Sequence, residues 1–519
     1  MNSPPISRLH DKILLDIFTL SHVTMPQGNA MKHPLSSNAR PYRLLLVCRN
    51  WRELVESTPE LWQEFNYCSV RTFISRGGAR HLTIEQVCRR MLRWLNYACP
   101  TGSSPASRSD SGLRFSFEAS FKVSDPFTQA DIEALRILAT YSNHWQSVIL
   151  SVPVSESEGT VEGCLEPLQV IHGNLASLEN LNISSLFHEQ HEKNDYVPRY
   201  LAEAFEIAPR LKAFTSGRFW QVDTLRFGQV RLPWSQIQHL DFVDRVEMDT
   251  YQVLRLVRSS LRSASITTIS RTGTLRPTPT ALITLPFLKT LIHINNHPRS
   301  PRGAGGQIFE YLRLPNLESL TLTDERERHS YQEAFMMLER SRPPHIRTLT
   351  LNGVCWNPSF DTINILRALG EGLELLSIGG VLDARGAWGD ADVVTEDVLN
   401  AVASGIRGIS PGEPEVREVS FHKLKQLVLR LDIWPKVLDS DMFLAHACDL
   451  LEAIARWNTD RSIEERLAVE VFVTNNSKLN HERLEELKML LSTSTGGDGV
   501  GTLYLRDCLR LGRSLGIVL

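Results

Sequence analysis

The sequence predicts an α/β chain in two parts, a short N-terminal helical module followed by a long array of strand–helix units. Three observations predict it. Amphipathic helical spacing is concentrated in the first 65 residues. From Trp145 onward a six-residue pattern, apolar-x-x-apolar-x-apolar, returns at near-regular intervals. Segments of helical period lie between successive copies. With 42% apolar and 22% charged residues, the chain has the composition of a folded globular protein. Its 519 residues accommodate two to four domains or one long repeat array.

In the first stretch, Ile13, Leu14, Ile17 and Phe18 recur at i, i+1, i+4 and i+5, which predicts a short amphipathic helix. The twenty residues that follow, 21–40, read as a loop, because Pro26, Gly28 and Pro34 break any helix across them. A second helix is predicted from Leu44, with Val47, Cys48, Trp51, Leu54 and Val55 on the same side. Arg49, Asn50, Arg52 and Glu53 take the other side. Ser57-Thr58-Pro59 ends it, since the residue before a proline is pushed out of the helical region. Leu61 and Trp62 follow at once. So small a segment buries too little surface for a core of its own, so it must dock on the rest of the chain or offer an apolar patch to a partner.

Leu9, Ile13, Leu14, Ile17, Phe18, Val47-Cys48-Arg49, Trp51-Arg52, Pro59, Leu61 and Trp62 stand in the pattern of an F-box. Residues 1–65 resemble that module, and the chain as a whole resembles F-box proteins that carry a long leucine-rich-repeat-like region. Two features depart from the pattern: Leu9-His10 replaces the usual Leu-Pro, and the loop between the helices is longer. The resemblance implies docking on the Skp adaptor of a Skp–cullin–F-box ubiquitin ligase, and through it on a cullin. The adaptor-binding residues it implies are Leu9, Ile13, Ile17, Phe18, Val47, Trp51, Leu61 and Trp62. Some of these must instead hold the two helices together, and spacing does not divide them.

Residues 66–112 read as a connector. Within it Val87, Met91, Trp94, Leu95 and Ala98 mark a helix, and Pro100 to Gly112 is a Ser/Gly/Pro-rich linker. Beyond it, Leu113, Phe115 and Phe117 alternate with polar residues as in a strand.

The array occupies 113–519. Copies of the six-residue pattern begin at Trp145, Leu178, Ile237, Leu261, Leu317, Ile346, Leu373 and Leu424, with partial copies at Leu211 and Leu288. Successive starts differ by 33, 33, 26, 24, 27, 29, 29 and 27 residues, then by 51. Leucine-rich repeats run about 20–29 residues, each a strand and a returning helix or loop. The last interval holds one repeat with an insertion or two with a degraded copy. Helical segments at 198–211, 249–261, 331–341 and 361–372 precede strand copies. Loops are expected at 295–307, 382–398 and 407–418. Near the end, 467–473 and 502–505 read as strands with a helix between, a stretch suited to capping the array. An irregular leucine-rich-repeat-like solenoid is the resulting fold. A compact α/β domain without true repeats is the alternative, which the uneven spacing leaves open.

Between the last two apolar positions stand Asn182, Asp241, Ser265, Thr321, Thr350 and Ser377. Period-two alternation sends these outward on one face, the expected site for a protein substrate. Loops such as 295–307 are the competing site.

The sequence offers little for catalysis. Ser410 lies in a G-x-S-x-G match, but Pro411 and Pro414 follow where a nucleophile elbow needs a helix. His188 and His191 are at i and i+3, one residue short of a zinc-protease pair. RGAGG and TGGDGVG lack the lysine and the strand–helix context of phosphate loops. The eight cysteines include no C-x-x-C pair, so no metal site and no cofactor are expected, and a reduced cytoplasmic or nuclear setting fits. A net charge of −3 predicts no nucleic-acid surface, and no apolar run is long enough for a membrane span. The expected role is a substrate adaptor, not an enzyme, with a non-degradative scaffold of the same fold as the alternative.

Overall fold

The computed structural model describes residues 9–24, 35, 40–68, 83–100, 112–118, 128–153, 163–186, 199–216, 230–244, 247–268, 281–295, 307–324, 330–341, 345–352, 359–380, 391–407, 419–432, 450–454, 456, 458, 467–475, 489, 501–507 and 514–518. It divides into two units, Met1–Phe242 and Val243–Leu519.

The first unit opens with α1 (Asp11–Thr24), α2 (Arg40–Leu44) and α3 (Arg49–Glu56), then a 3-10 turn, Pro59–Trp62. The single helix expected from Leu44 to Val55 is broken. Cys48 is extended at φ −159°, and Leu46 N–H and Val47 N–H bond back to Arg43 and Leu44 in a turn. The break solves a packing problem posed by four consecutive apolar residues: Leu45 is buried while Leu46 and Val47 face outward. Arg52 holds the turn by donating from Nε to the Leu45 carbonyl at 3.2 Å. The proline at the start of the 3-10 turn ends α3 as the sequence requires.

Strands then follow in chain order: β1 (Glu64–Cys68), β2 (Leu113–Glu118), β3 (Trp145–Pro153), β4 (Asn180–Leu186), β5 (Ala213–Ser216) and β6 (His239–Asp244). Each pairs in parallel with the next. The stretch read as a connector therefore contains the end of β1, with α4 (Ile84–Ala98) packed behind it. Helix α4 buries Val87, Met91, Trp94, Leu95 and Ala98, the five residues its spacing singled out, and Thr83 with Gln86 closes a capping box. Helix α5 (Gln129–Thr140) escaped the sequence reading, although Thr128 and Asp131 form the same kind of cap. Shorter α6 (Arg199–Ala204) precedes β5.

The second unit repeats the plan. Strands β7 (Ser263–Thr268), β9 (Thr290–Asn295), β11 (Ser319–Asp324), β12 (Thr348–Asn352), β13 (Leu375–Gly380), β14 (Gln426–Asp432), β15 (Ala468–Asn475) and β16 (Gly501–Asp507) are parallel neighbours. A last strand, β17 (Ser514–Val518), runs antiparallel to β16. Short β8 (Ile283–Thr284) and β10 (Leu312–Arg313) pair separately. Helices α7 (Glu247–Val257), α8 (Gln307–Glu310), α9 (Ser330–Ser341), α10 (Ser359–Leu369) and α11 (Ala391–Arg407) lie between strands. Because β13 pairs directly with β14, the 51-residue interval is one repeat with an insertion. Part of that insertion, expected as loop at 382–398, is helical from Ala391. Val398, Leu399, Val402, Ala403 and Ile406 give it a buried stripe. Gly405 lets it approach closely, since a Cβ there would sit 2.8 Å from the Phe421 ring.

The pattern's apolar positions form columns. All ten starting residues, Trp145 to Leu424, are buried. Across successive strands, Phe65, Phe115, Val148, Leu181, Phe214 and Leu240 stand in register in the first unit. Ala264, Leu291, Leu320, Leu349, Leu376, Leu427 and Val469 do so in the second. Burial of each such large side chain contributes about 1.5–3 kcal/mol. The strand copies are thus real repeats stacked on one another, a parallel α/β array in each unit.

One polar contact ties the first strand to the layer behind it. Tyr67, fully buried, donates to Asp131 Oδ1 at 2.9 Å, while Asp131 Oδ2 accepts from Thr128 N and Oγ1 at 3.0 and 2.7 Å. Burial, and then the Asp131 carboxylate, push the Tyr67 phenol well above 10. The raised value means that its contribution is complete below the unfolded phenol's pKa, about 10, and is lost as pH rises through the folded one. Tyr67→Phe should therefore cost about 1–3 kcal/mol at pH 7. Urea unfolding from pH 7 to 11 should show that gap narrowing above pH 10; a constant gap would contradict this account.

Candidate functional site

Two surfaces gather the residues that the sequence marked. The first is on α1. Leu9, Ile13, Ile17 and Leu20 fall at spacings of four, four and three, and they are 36%, 49%, 42% and 61% exposed. Leu46 at 77% and Val47 at 56% add to the module's exposed apolar surface. The opposite face of α1 is core: Leu14 and Phe18 are buried, and Phe18 meets Trp51 edge to face at 4.7 Å. The structure thus divides the eight implied adaptor residues. Leu9, Ile13, Ile17 and Val47 are exposed, Trp51 is half-buried, and Phe18, Leu61 and Trp62 are interior. Leu20 and Leu46 belong with the exposed set, and sequence reading passed over both. Leu20 was legible as the i+3 neighbour of Ile17, whereas Leu46 needed the turn after α2.

Trp62 is a joint. Its Nε1 donates to the Val55 carbonyl at 2.9 Å, and its own carbonyl accepts from Trp94 Nε1 at 2.6 Å. Tyr97 stacks on it at 4.4 Å, and Trp94 meets it edge to face at 5.2 Å. Tyr97 also donates to Glu56 at 2.9 Å. Helix α3, the 3-10 turn and α4 are therefore one packed block, fixing the exposed α1 face to the first strands.

The second surface is the strand face. Asn182 and Asp241 lie in one row across the first unit, linked in register through Thr215. Ser265, Thr321, Thr350 and Ser377 lie in one row across the second, with Ile292 between the first two. The alignment is as expected, but the exposure is not. Five of the six are half-buried and Ser377 is buried, because close strand spacing sets each between neighbours such as Thr350 and Val428. Asn182 Oδ1 and Ser377 Oγ are shielded from solvent and bond to no protein group.

A charged edge borders the second unit's row. Lys289 donates to Glu318 at 2.8 Å, Lys425 to Glu374 at 2.9 Å, and Arg347 approaches Glu374 at 3.8 Å. The lysine hydrogen bonds hold both carboxyls below the usual carboxylate range. Glu318 is exposed and Glu374 half-buried at the surface, so water and salt screen these pairs.

Chemistry is sparse among the described residues. No cluster of His, Cys, Asp or Glu could hold a metal, and no helix is long and apolar enough to cross a membrane. Burial raises the Cys88 and Cys164 thiols, keeping them protonated. Ser410, His188, His191 and loop 296–306 lie outside the described residues.

No family model matches the chain. No curated protein matches it. Among solved structures, it is similar to the leucine-rich repeat-containing protein LegL7 from Legionella pneumophila, at 11% identity and a TM-score of 0.30, covering 69% of this chain and 94% of that one. It is also similar to the yeast Rad7 and Elc1 complex, at 13% identity and a TM-score of 0.31, covering 83% of this chain and 92% of that one.

The joint and the stripe should respond differently to truncation. Trp62→Ala should destabilise the chain by about 3–5 kcal/mol. Ile13→Ala, exposed, should stay within about 0.5 kcal/mol of wild type. Denaturant unfolding followed by tryptophan fluorescence measures both, and equal effects would contradict the division.

Proposed function

We propose that this chain is a substrate-recognition adaptor of a Skp–cullin–F-box ubiquitin ligase. The N-terminal module docks on the Skp adaptor and through it on a cullin, and the strand face holds a protein substrate. Other subunits carry out the transfer, so this chain does no chemistry; tethering raises the local concentration of the substrate. The observation that carries the reading is the exposed apolar stripe of α1, standing beside a module whose own core is already filled. A monomer gains nothing from Leu9, Ile13, Ile17 and Leu20 in water, whereas a partner groove would bury them as helix anchors.

The buried aromatic block refines the interface. Phe18, Leu61 and Trp62 shape the module from within, and Leu9, Ile13, Ile17 and Val47, with Leu20 and Leu46, make the contact. The hydroxyl-rich row around Thr321 and Thr350 suits neutral hydrogen bonding.

Ile13→Asp with Ile17→Asp should weaken capture of the Skp adaptor by at least about 30-fold while the melting temperature holds. Retained binding by this variant would refute the proposed contact. Thr321→Arg with Thr350→Arg should spare adaptor binding and abolish substrate capture, read by affinity purification and mass spectrometry. Capture that survives it but fails on deletion of 295–307 would move the substrate to the loop. Turnover of the captured protein separates ligase from scaffold.

A further inference from the structure

A crevice of about 400 Å³ lies between the N-terminal helices and α4, lined by Leu35, Tyr42, Leu45, Leu46, Arg52, Glu56, Arg90 and Arg93. Three guanidiniums meet one carboxylate there. Glu56 accepts from Tyr97, and Arg52, Arg90 and Arg93 have no carboxylate within 4.0 Å among the described residues. Arg52 and Arg90 spend one donor each on the carbonyls of Leu45 and Leu35. Arg93 lies over the rings of Tyr42 and Tyr97 and donates from Nη2 to the Tyr97 hydroxyl at 3.5 Å. Each guanidinium carries five N–H donors, so most are left over. The Tyr42 hydroxyl is shielded from solvent and has no hydrogen-bond partner. Burial pushes its phenol up to about 12 against the pull of Arg93 and Arg90, so it stays a donor at neutral pH.

Three guanidiniums facing a single carboxylate leave positive charge and N–H donors in excess, which suits an anion. A lone carboxylate would engage one guanidinium fork. Donors spread over α3 and α4 call for several oxygens on one compact ligand, which linked phosphoryl groups supply. We propose that this crevice binds a small polyphosphate anion, with Arg52, Arg90 and Arg93 as its donors. The ligand would bridge α3 and α4 beside Trp62 and stiffen the joint. The inference does not depend on what binds α1.

Calorimetric titration of the full chain with inorganic tripolyphosphate, at 0.15 M salt, tests it. One saturable site is expected, weakened at least 30-fold by Arg90→Gln with Arg93→Gln, and citrate should bind at least tenfold more weakly. Absence of saturable binding overturns the proposal, as does a double variant within threefold of wild type or citrate binding as tightly as tripolyphosphate. Should the double variant not fold, Arg52→Gln decides the matter. It removes the charge of an exposed side chain whose bond within the protein is the one to the Leu45 carbonyl; a fivefold loss is expected, and unchanged affinity overturns the proposal.

Discussion

The packing of Trp62 against Trp94 and Tyr97 is the contact on which the first unit depends. The N-terminal helices alone bury too little to hold a shape, and Trp62 lends them the core of the strand–helix array. Its two hydrogen bonds, one to α3 and one from α4, fix direction as well as distance. An exposed apolar helix is useful for recognition only when its orientation is set. The aromatic joint sets it for α1 relative to β1 and β2, at the cost of removing three large residues from any partner interface.

The arrays behave differently, because each strand rests on its neighbour alone. Lys289 N–H bonds to Arg262, Glu318 to Lys289, Arg347 to Glu318, Glu374 to Arg347 and Lys425 to Glu374, one rung per repeat. A column of buried apolar residues runs beside those rungs. Variation between repeats is thereby absorbed at the loops and helices, as the insertion carrying α11 shows, while the strand register continues through β13 and β14. This is the energetics of stacked units, where stability accumulates from nearest-neighbour terms. It leaves the outward positions free to vary in chemistry.

Much of this was legible in the sequence, for physical reasons. Every strand from β2 to β7, together with β9 and β11 to β16, stands where an alternating or repeated apolar pattern placed it, because burying those side chains is what forms the strand. The five buried residues of α4 were equally readable from spacing. Elements were missed where the signal was tertiary. Strand β1 alternates as β2 does, with Phe65 and Tyr67 inward between Glu64 and Asn66, but over five residues that is too short to stand out from a connector until pairing with β2 extends it. Four apolar residues in a row at Leu44 to Val47 suggest a continuing helix, and the turn there follows from which of them find a core. The candidate sites were half legible. Spacing put Asn182 with Asp241, and Thr321 with Thr350, in common rows, but exposure depends on neighbouring strands that no local pattern encodes. Likewise nothing local separates exposed Ile17 from buried Phe18.

The account's central claim is that α1 is an open partner surface on a module whose core is already complete. Hydrogen–deuterium exchange of the full chain, with and without saturating Skp adaptor, tests it most directly. The account predicts added protection across residues 11–20 and 46–50, with β2 to β6 unchanged. Protection confined to the strands, or none anywhere at saturating adaptor, would contradict it.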